Sequence, residues 1–329
     1  MSEPNRVKVL AAIDELGYVR NESARQLRMG RSRFLALVVL DLANPFFTDL
    51  ASGAEEVADA HDLVLLVSSS AEDVARERRH LEVLGQLRVA GVLLSPVDTS
   101  PRRLAELRRL DVPLVLVDRR DPDGGTPSVS VDDVEGGRLG VAHLVATGHR
   151  RIAVVGGPVG MQQIDDRIAG ARSAVARAGL PAGTLVEITD LDSLTVDAGR
   201  RAGERIAATT GPDRPTAVFC LNDLVALGVL QVATARGARV PQDLAIVGYD
   251  DIDFAAAAAV PLTSVRQPRA QLGQWGVRLL LERDAPGHAD PDARPDEGPG
   301  DDDDLPATRG DRQVVFAPEL VVRASSGRA

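Results

Sequence analysis

Cysteine is almost missing from this sequence of 329 residues, with Cys220 the single example. One thiol cannot close an internal disulfide, and it leaves a CxxC pair or a four-cysteine zinc site without its atoms. No charge-free apolar run approaches the roughly 20 residues of a membrane span, and the polar first residues lack a signal peptide's apolar stretch. Those two absences point to a cytoplasmic protein with no membrane partner. Catalytic motifs are missing too: there is no G-x-x-x-x-G-K-[ST] or G-x-S-x-G, and the five histidines include no H-x-x-x-H pair. GGPVG at 156–160 follows a strand but does not match G-x-G-x-x-G, and Pro158 removes an amide that a dinucleotide phosphate needs. Neither an enzyme nor a cofactor or metal site is expected from such a set. His143 and His149 read as structural, and Cys220, inside an apolar strand with no histidine near it in sequence, reads as an inert buried thiol.

What is present is a chain 44% hydrophobic and long enough for two domain cores. The net charge of -10 rules out an all-over basic surface, yet residues 1–33 carry seven basic and four acidic side chains. Nucleic-acid contact, if any, is thereby confined to the N-terminus. There Ser2, Glu3 and Pro4 read as a helix start, and Val9, Ile13 and Leu16 recur at helical spacing until Gly17. From Arg20 to Arg33 five arginines face one acid, Glu22, with Ala24 and Leu27 at helical spacing. Composition alone makes this a solvated basic linker, since phosphate attraction carries no sequence information. A helix-turn-helix requires at least two helices; only one precedes this segment.

From Leu35 onward short β-branched runs alternate with helical stretches: LALVVLD, LVLLVSS, GVLLSP and PLVLVDR, then after SVSVDD a second series, RIAVVGG, LVEI, AVFCLND and LAIVGYDD. Buried parallel strands joined by helical crossovers explain the pattern, which predicts two doubly wound lobes with a cleft between them. The order breaks at Asp284–Asp304, where nine acids, four prolines and three glycines fill 21 positions. Such a stretch has almost nothing to bury and reads as a disordered acidic insertion. Leu320–Val322 predict a last short strand.

Ligands of open α/β sheets bind outside the carboxyl ends of the strands. Asp41, Asp118, Asn222, Asp223, Asp250 and Asp251 all fall there, and carboxylates or amides so placed can bind sugar hydroxyls or heterocycle edges. For Asp41, Asp223 and Asp251 helix capping is the simpler role; for Asn222 and Asp250 both roles stand open. Phe46 and Phe47, two of only six phenylalanines, begin a helix at the cleft and can form a stacking wall, although the simpler reading places one of them in the core.

The ordered motifs SEPNRVKVLAAIDELGYVRN, AxxLRxGRS at 24–32, DLANPFF, VDR at 117–119, DDVEGG followed by HLVATGHRRIAVVGG, the R-x-x-G of Arg167 to Gly170, AVFCLND, GARVPQDLAIVGYDD and PLTSVRQP are together specific. Over Ser2 to Arg323 the chain resembles the LacI/GalR family of transcriptional regulators. The resemblance implies a type I periplasmic-binding-protein-like core, here α/β with two doubly wound parallel-sheet lobes, that dimerises and changes its DNA affinity when a small effector enters the cleft. It implies effector contacts from Phe46, Phe47, Asp118, Asp132, Arg167, Asn222 and Asp250. Arg167 leads this set, because an arginine fork can hold two hydroxyls or a carboxylate, and at the helix start expected for it a merely structural arginine is unfavourable. It also implies a hinge helix over Asn21–Met29, with Ala24 and Arg28 beside Leu27, the residue that wedges into the minor groove.

On this reading residues 1–20 are the remnant of a helix-turn-helix domain, of which only the third helix is present, and 21–33 are hinge and linker. Met1 stands where relatives lead into that helix, so a start codon further upstream is expected. The core, 34–329, divides into about 34–133 plus 266–283 and about 134–265 plus 312–323, with the acidic insertion at 284–311. Expected partners are operator DNA, a small effector, most simply a sugar, and a second copy of the chain. The alternative is a cytoplasmic small-molecule binding protein that has lost sequence-specific DNA binding. In a form that carries the upstream helices, Leu27→Ala is expected to weaken operator binding and leave effector affinity unchanged; unaltered operator affinity in a gel-shift titration would remove the hinge assignment.

Overall fold

The computed structural model describes residues 32–282, 308–310 and 312–327. The predicted hinge residues Asn21, Ala24, Leu27 and Arg28, and the acidic stretch 284–304, lie outside them. The first lobe is built on β1 (Phe34–Val39), β2 (Val64–Ser69), β3 (Gly91–Leu94), β4 (Leu114–Val117), β5 (Ser128–Val131), β11 (Thr308–Gly310) and β12 (Gln313–Phe316), in the order β11-β12-β5-β4-β3-β1-β2. The second holds β6 (Ile152–Val155), β7 (Leu185–Ile188), β8 (Ala217–Cys220), β9 (Ala245–Asp250), β10 (Thr263–Arg266) and β13 (Glu319–Val321), in the order β13-β10-β9-β8-β6-β7. All pairings are parallel except β11 with β12 and β10 with β13. Every residue of β3, β4, β5, β6, β8 and β9 is buried; β3, β4, β6 and β8 accordingly read as continuous apolar runs, whereas β5 alternates serine with valine and β9 ends on Asp250.

Helices α1 (Pro45–Ala60), α2 (Val74–Gln86), α3 (Pro101–Leu107) and α9 (Arg269–Glu282) cover the first sheet; α4 (Asp133–Ala146), α5 (Gln162–Arg177), α6 (Val196–Ala208), α7 (Asp223–Ala235) and the short α8 (Asp253–Ala257) belong to the second. Their starts are written in the sequence. Asn44 accepts the Phe46 amide with Pro45 at the first helical position, Asp73 accepts those of Ala75 and Arg76, and Asn222 accepts that of Val225. Among the described residues no helix is long and apolar enough to cross a membrane.

Three helix pairs share one device, a reciprocal seating of glycine on a carbonyl. A Cβ on Gly137 of α4 would lie 2.0 Å from the Arg167 carbonyl oxygen of α5, and one on Gly170 of α5 would lie 2.0 Å from that of Val134. Gly53 and Gly273 do the same between α1 and α9, as do Gly199 and Gly228 between α6 and α7. Only hydrogen fits in these places, so the backbones approach more closely than side chains would permit.

Among the described residues the chain passes between lobes three times, at Asp132, at Gln267–Pro268 and at Ala317–Pro318. The third passage corrects the expected boundary. Residues 312–323 do not all join the second lobe, because Gln313–Phe316 pairs in parallel with β5 of the first, and only Glu319–Val321 pairs with β10. The expected insertion is likewise shorter at its far end, since Thr308–Gly310 pairs with β12. Gly170→Ala is expected to destabilise the chain by about 1–3 kcal/mol in urea unfolding; an unchanged midpoint would contradict the tight α4–α5 contact.

Candidate functional site

The carboxyl ends of both sheets open on one cleft with about 530 Å³ of non-atom space, its solvent-open mouth included. Asp41, Asn44, Phe46, Phe47, Glu72 and Asp118 line it from the first lobe, and Gln163, Arg167, Asn222 and Asp250 from the second; Gln267 reaches it from a crossover. The α1 cap places the two phenylalanines, whose rings meet edge to face with centroids 5.0 Å apart. Both are buried and both face the cleft, so neither was set aside for the core alone.

Arg167 lies in the second turn of α5, five residues past Gln162, not at a helix start as expected. It is 3% exposed. Its Nε donates to Asp133 Oδ1 at 2.7 Å and its Nη1 to the Leu221 carbonyl at 2.5 Å, with Asp250 Oδ1 at 3.9 Å. The guanidinium lies 3.6 Å from the centroid of the Tyr249 ring, and the Tyr249 hydroxyl donates to the same Asp133 oxygen at 2.8 Å. Gly136 makes room for that hydroxyl, for a Cβ there would stand 2.1 Å from it. Burial opposes the arginine's charge, but Asp133, Tyr249, Asp250 and Asp118 together hold its pKa well above the ordinary value.

Two carboxylates end their strands in the left-handed region, Asp118 at φ 60° and Asp250 at φ 103°. For residues with a Cβ this backbone is strained, by about 1–3 kcal/mol each, and such strain gathers at binding sites. Gln267 Nε2 donates to Asp250 Oδ1 at 2.8 Å, and Asn44 faces the same cleft from the opposite lobe. Burial pushes the Asp250 carboxyl up to about 7, with Arg167 opposing and Asp118 adding to the rise. Asp118 is pushed up to about 6 by burial, opposed by Arg119, whose Nη1 donates to Asp118 Oδ2 at 2.6 Å. Glu72 is raised as well, by burial and then by Asp41. The lobes also meet where Arg120 Nη2 donates to Asp166 Oδ2 at 3.0 Å.

Six of the seven expected effector residues therefore meet in one cavity. Asp132 does not line it: exposed, it caps α4 by accepting the Glu135 amide at 2.9 Å, and its neighbour Asp133 is the carboxylate turned inward. Asn222 takes both open roles, cap and cleft wall. Asp41 accepts the Ala43 amide at 2.9 Å and also lines the cleft, beyond the capping expected of it. Asp223 is no helix cap: its carboxylate accepts from the Ile252 amide and the Ser264 hydroxyl. Asp251 is held by Arg266 and Arg323. Cys220 is fully buried, with burial raising its thiol pKa well above the ordinary value. Among the described residues no group of three His, Cys, Asp or Glu side chains is placed to hold a metal ion.

Residues that sequence reasoning passed over are Asn44, Glu72, Arg119, Asp133, Gln163, Tyr249 and Gln267. Most lie inside the motifs already singled out, DLANPFF, VDR, DDVEGG, GYDD and VRQP, so the signal was present at the level of the motif and not of the residue.

Two lobes with ligand-type polar groups at the strand ends define a periplasmic-binding-protein-like core, and residues 141–298 match the family model described as a periplasmic binding protein-like domain. The chain is 34% identical over 284 residues to the ribose operon repressor of Escherichia coli strain K12, covering 86% of this chain and 85% of that protein. It is 31% identical over 284 residues to the transcriptional repressor PurR of Photobacterium profundum, covering 86% and 84%. A solved complex of the transcriptional regulator CelR with cellobiose superposes with a TM-score of 0.71 at 30% identity, covering 99% of this chain and 92% of that one. The chain belongs to the LacI family of transcriptional regulators.

Asp250 supplies a pH test. Its pKa rises from the ordinary 3.8 to about 7 on folding, so the folded chain binds the extra proton between those values and loses stability as pH rises through them. With the cleft empty, Asp250→Asn is expected to be more stable than wild type in urea at about pH 8, with the gap closing by about pH 4; a gap of equal size at both would contradict this.

Proposed function

We propose that the chain is an effector-responsive transcriptional repressor that binds operator DNA as a homodimer in the cytoplasm, with a sugar or related small metabolite held in the cleft. The observation that carries this reading is the convergence on one cleft of polar side chains from both lobes, Asn44 and Asp118 from the first and Gln163, Arg167, Asn222 and Asp250 from the second, beside the rings of Phe46 and Phe47.

The names of the relatives, a ribose operon repressor and a regulator in complex with cellobiose, support a sugar. The homodimer is supported by exposed apolar side chains, Val64 and Val67 on β2, Val83 on α2 and Leu87 just past its end. Contact with DNA through Asn21, Ala24, Leu27 and Arg28 rests on the family's hinge pattern and on the arginines there.

Arg167→Ala is a poor probe of the cleft, because Asp133 would be left buried without its cation, at about 3–5 kcal/mol. Arg167→Lys keeps the charge and is the better probe. The test is selection of genomic DNA fragments by the chain carrying any upstream codons, followed by anisotropy titration of the selected fragment with D-ribose, cellobiose and a metabolite extract. The expected result is a selected sequence whose affinity shifts at least about tenfold with a small molecule, a shift lost in Arg167→Lys. Retention of a small molecule with no DNA selected would favour the binding-protein alternative.

A further inference from the structure

At the amino ends of β1, β3 and β4, the far end of the first sheet from the cleft, lies a second concavity, with about 1230 Å³ of non-atom space when its open side is included. Leu81, Val89, Val92, Leu110, Val112 and Pro113 give it an apolar floor, packed on the core between the sheet and helices α2 and α3. Glu82 and Asp111 stand exposed on its walls, Arg88 is the one cation among the described lining residues, and no ion pair among the described residues engages any of the three. An apolar hollow of this size with a charged rim marks a docking place. Ser32, the first described residue, forms part of that rim.

We propose that this groove is the seat of the chain's own residues 24–31 when no DNA is bound, with Leu27 and Met29 on the apolar floor and the neighbouring arginines drawn to Glu82 and Asp111. Reach selects this occupant first. Leu27 is five residues from Ser32, a span of at most about 18 Å, so it cannot be far from a groove whose rim Ser32 helps to form. Charge agrees, because residues 21–31 hold Arg25, Arg28 and Arg31 against the single acid Glu22, the opposite balance to that of the groove walls. A second copy of the chain is served elsewhere: the exposed Val83 and Leu87 of the same region are not in the groove's lining, so a dimer contact on them leaves the groove open.

Moving one leucine side chain from water into apolar contact favours the docked form by roughly tenfold or more. Leu27 cannot lie in this groove and between base pairs at once, so docking and DNA compete for one side chain, and whatever closes or fills the groove shifts the chain toward DNA. Helix α2 spans the distance to the cleft. It begins at Val74, two residues past Glu72 of the cleft wall, and carries Gly85 into the groove. The competition with DNA rests on the hinge reading above; the docking does not.

Gly85 supplies the test. A Cβ there meets only Val112 Cγ2, at 4.0 Å, so Gly85→Leu fills the groove without striking backbone, and leucine is the better helix former. The full chain is digested briefly with trypsin, and cleavage after Arg25, Arg28 and Arg31 is timed by mass spectrometry. The expected result is that these cuts come at least about fivefold faster in Gly85→Leu than in wild type, at an equal urea midpoint. Should the plug lower that midpoint, Glu82→Lys with Asp111→Lys, both exposed positions, is expected to speed the same cuts through charge alone. Leu27→Cys with Gly85→Cys is expected to close a disulfide within one chain under mild oxidation, Cys220 being buried, and sheared genomic DNA in excess is expected to prevent it. Equal cutting rates in wild type and variants, or a disulfide that fails to form or joins two chains, would overturn the docking. A disulfide that closes as fast with DNA present would overturn the competition and leave the docking in place.

Discussion

Where α4 crosses α5, glycine hydrogen meets carbonyl oxygen in both directions, and the depth of that contact sets the positions of the groups around the cleft. Gly137 rests on the carbonyl of Arg167 itself, so the helix carrying the arginine and the helix carrying Asp133 are locked at the distance that lets Nε reach the carboxylate. One residue earlier, Gly136 admits the Tyr249 hydroxyl to the same carboxylate and brings the phenol ring under the guanidinium. Binding geometry here thus follows from backbone packing. The polar network is placed by residues that carry no polar side chain.

A buried ion pair of this kind is a poor source of stability, because desolvating both charges consumes most of what their attraction returns. Its cost is evidence for another use. Arg167 cannot rotate freely, being fixed by Asp133, the Leu221 carbonyl and the Tyr249 ring at once, so its orientation entropy is surrendered during folding and not when the cleft fills. Asp118 and Asp250 show the same economy: their backbones are held in strained conformations that turn the carboxylates toward the cavity.

The alternation of apolar runs with helical stretches was enough to predict two doubly wound lobes, and the strand-end rule found the cleft, because burial on both faces of a parallel strand leaves a plain trace in composition. What stayed hidden depends on turns of single residues. DDVEGG does not say which aspartate caps the helix and which faces inward, since both are acceptors and only the chain's rotation at the helix start separates Asp132 from Asp133. The start of α5 was misplaced because Met161 gives no side-chain cap for a reader to find. The last strands divided between lobes for a similar reason: two short runs separated by Ala317 and Pro318 have no pattern that names their sheet. Arg119 escaped notice because an arginine beside an aspartate reads as a surface pair, whereas it is 2% exposed.

Among the described residues three short strips of chain cross between the lobes. Connections rooted at three separate strands leave the halves fewer ways to move against one another than a single tether would. Gln267 belongs to one of the three strips while also lining the cavity, so a group bound in the cleft would touch the joint between the lobes directly, without a relay of side chains.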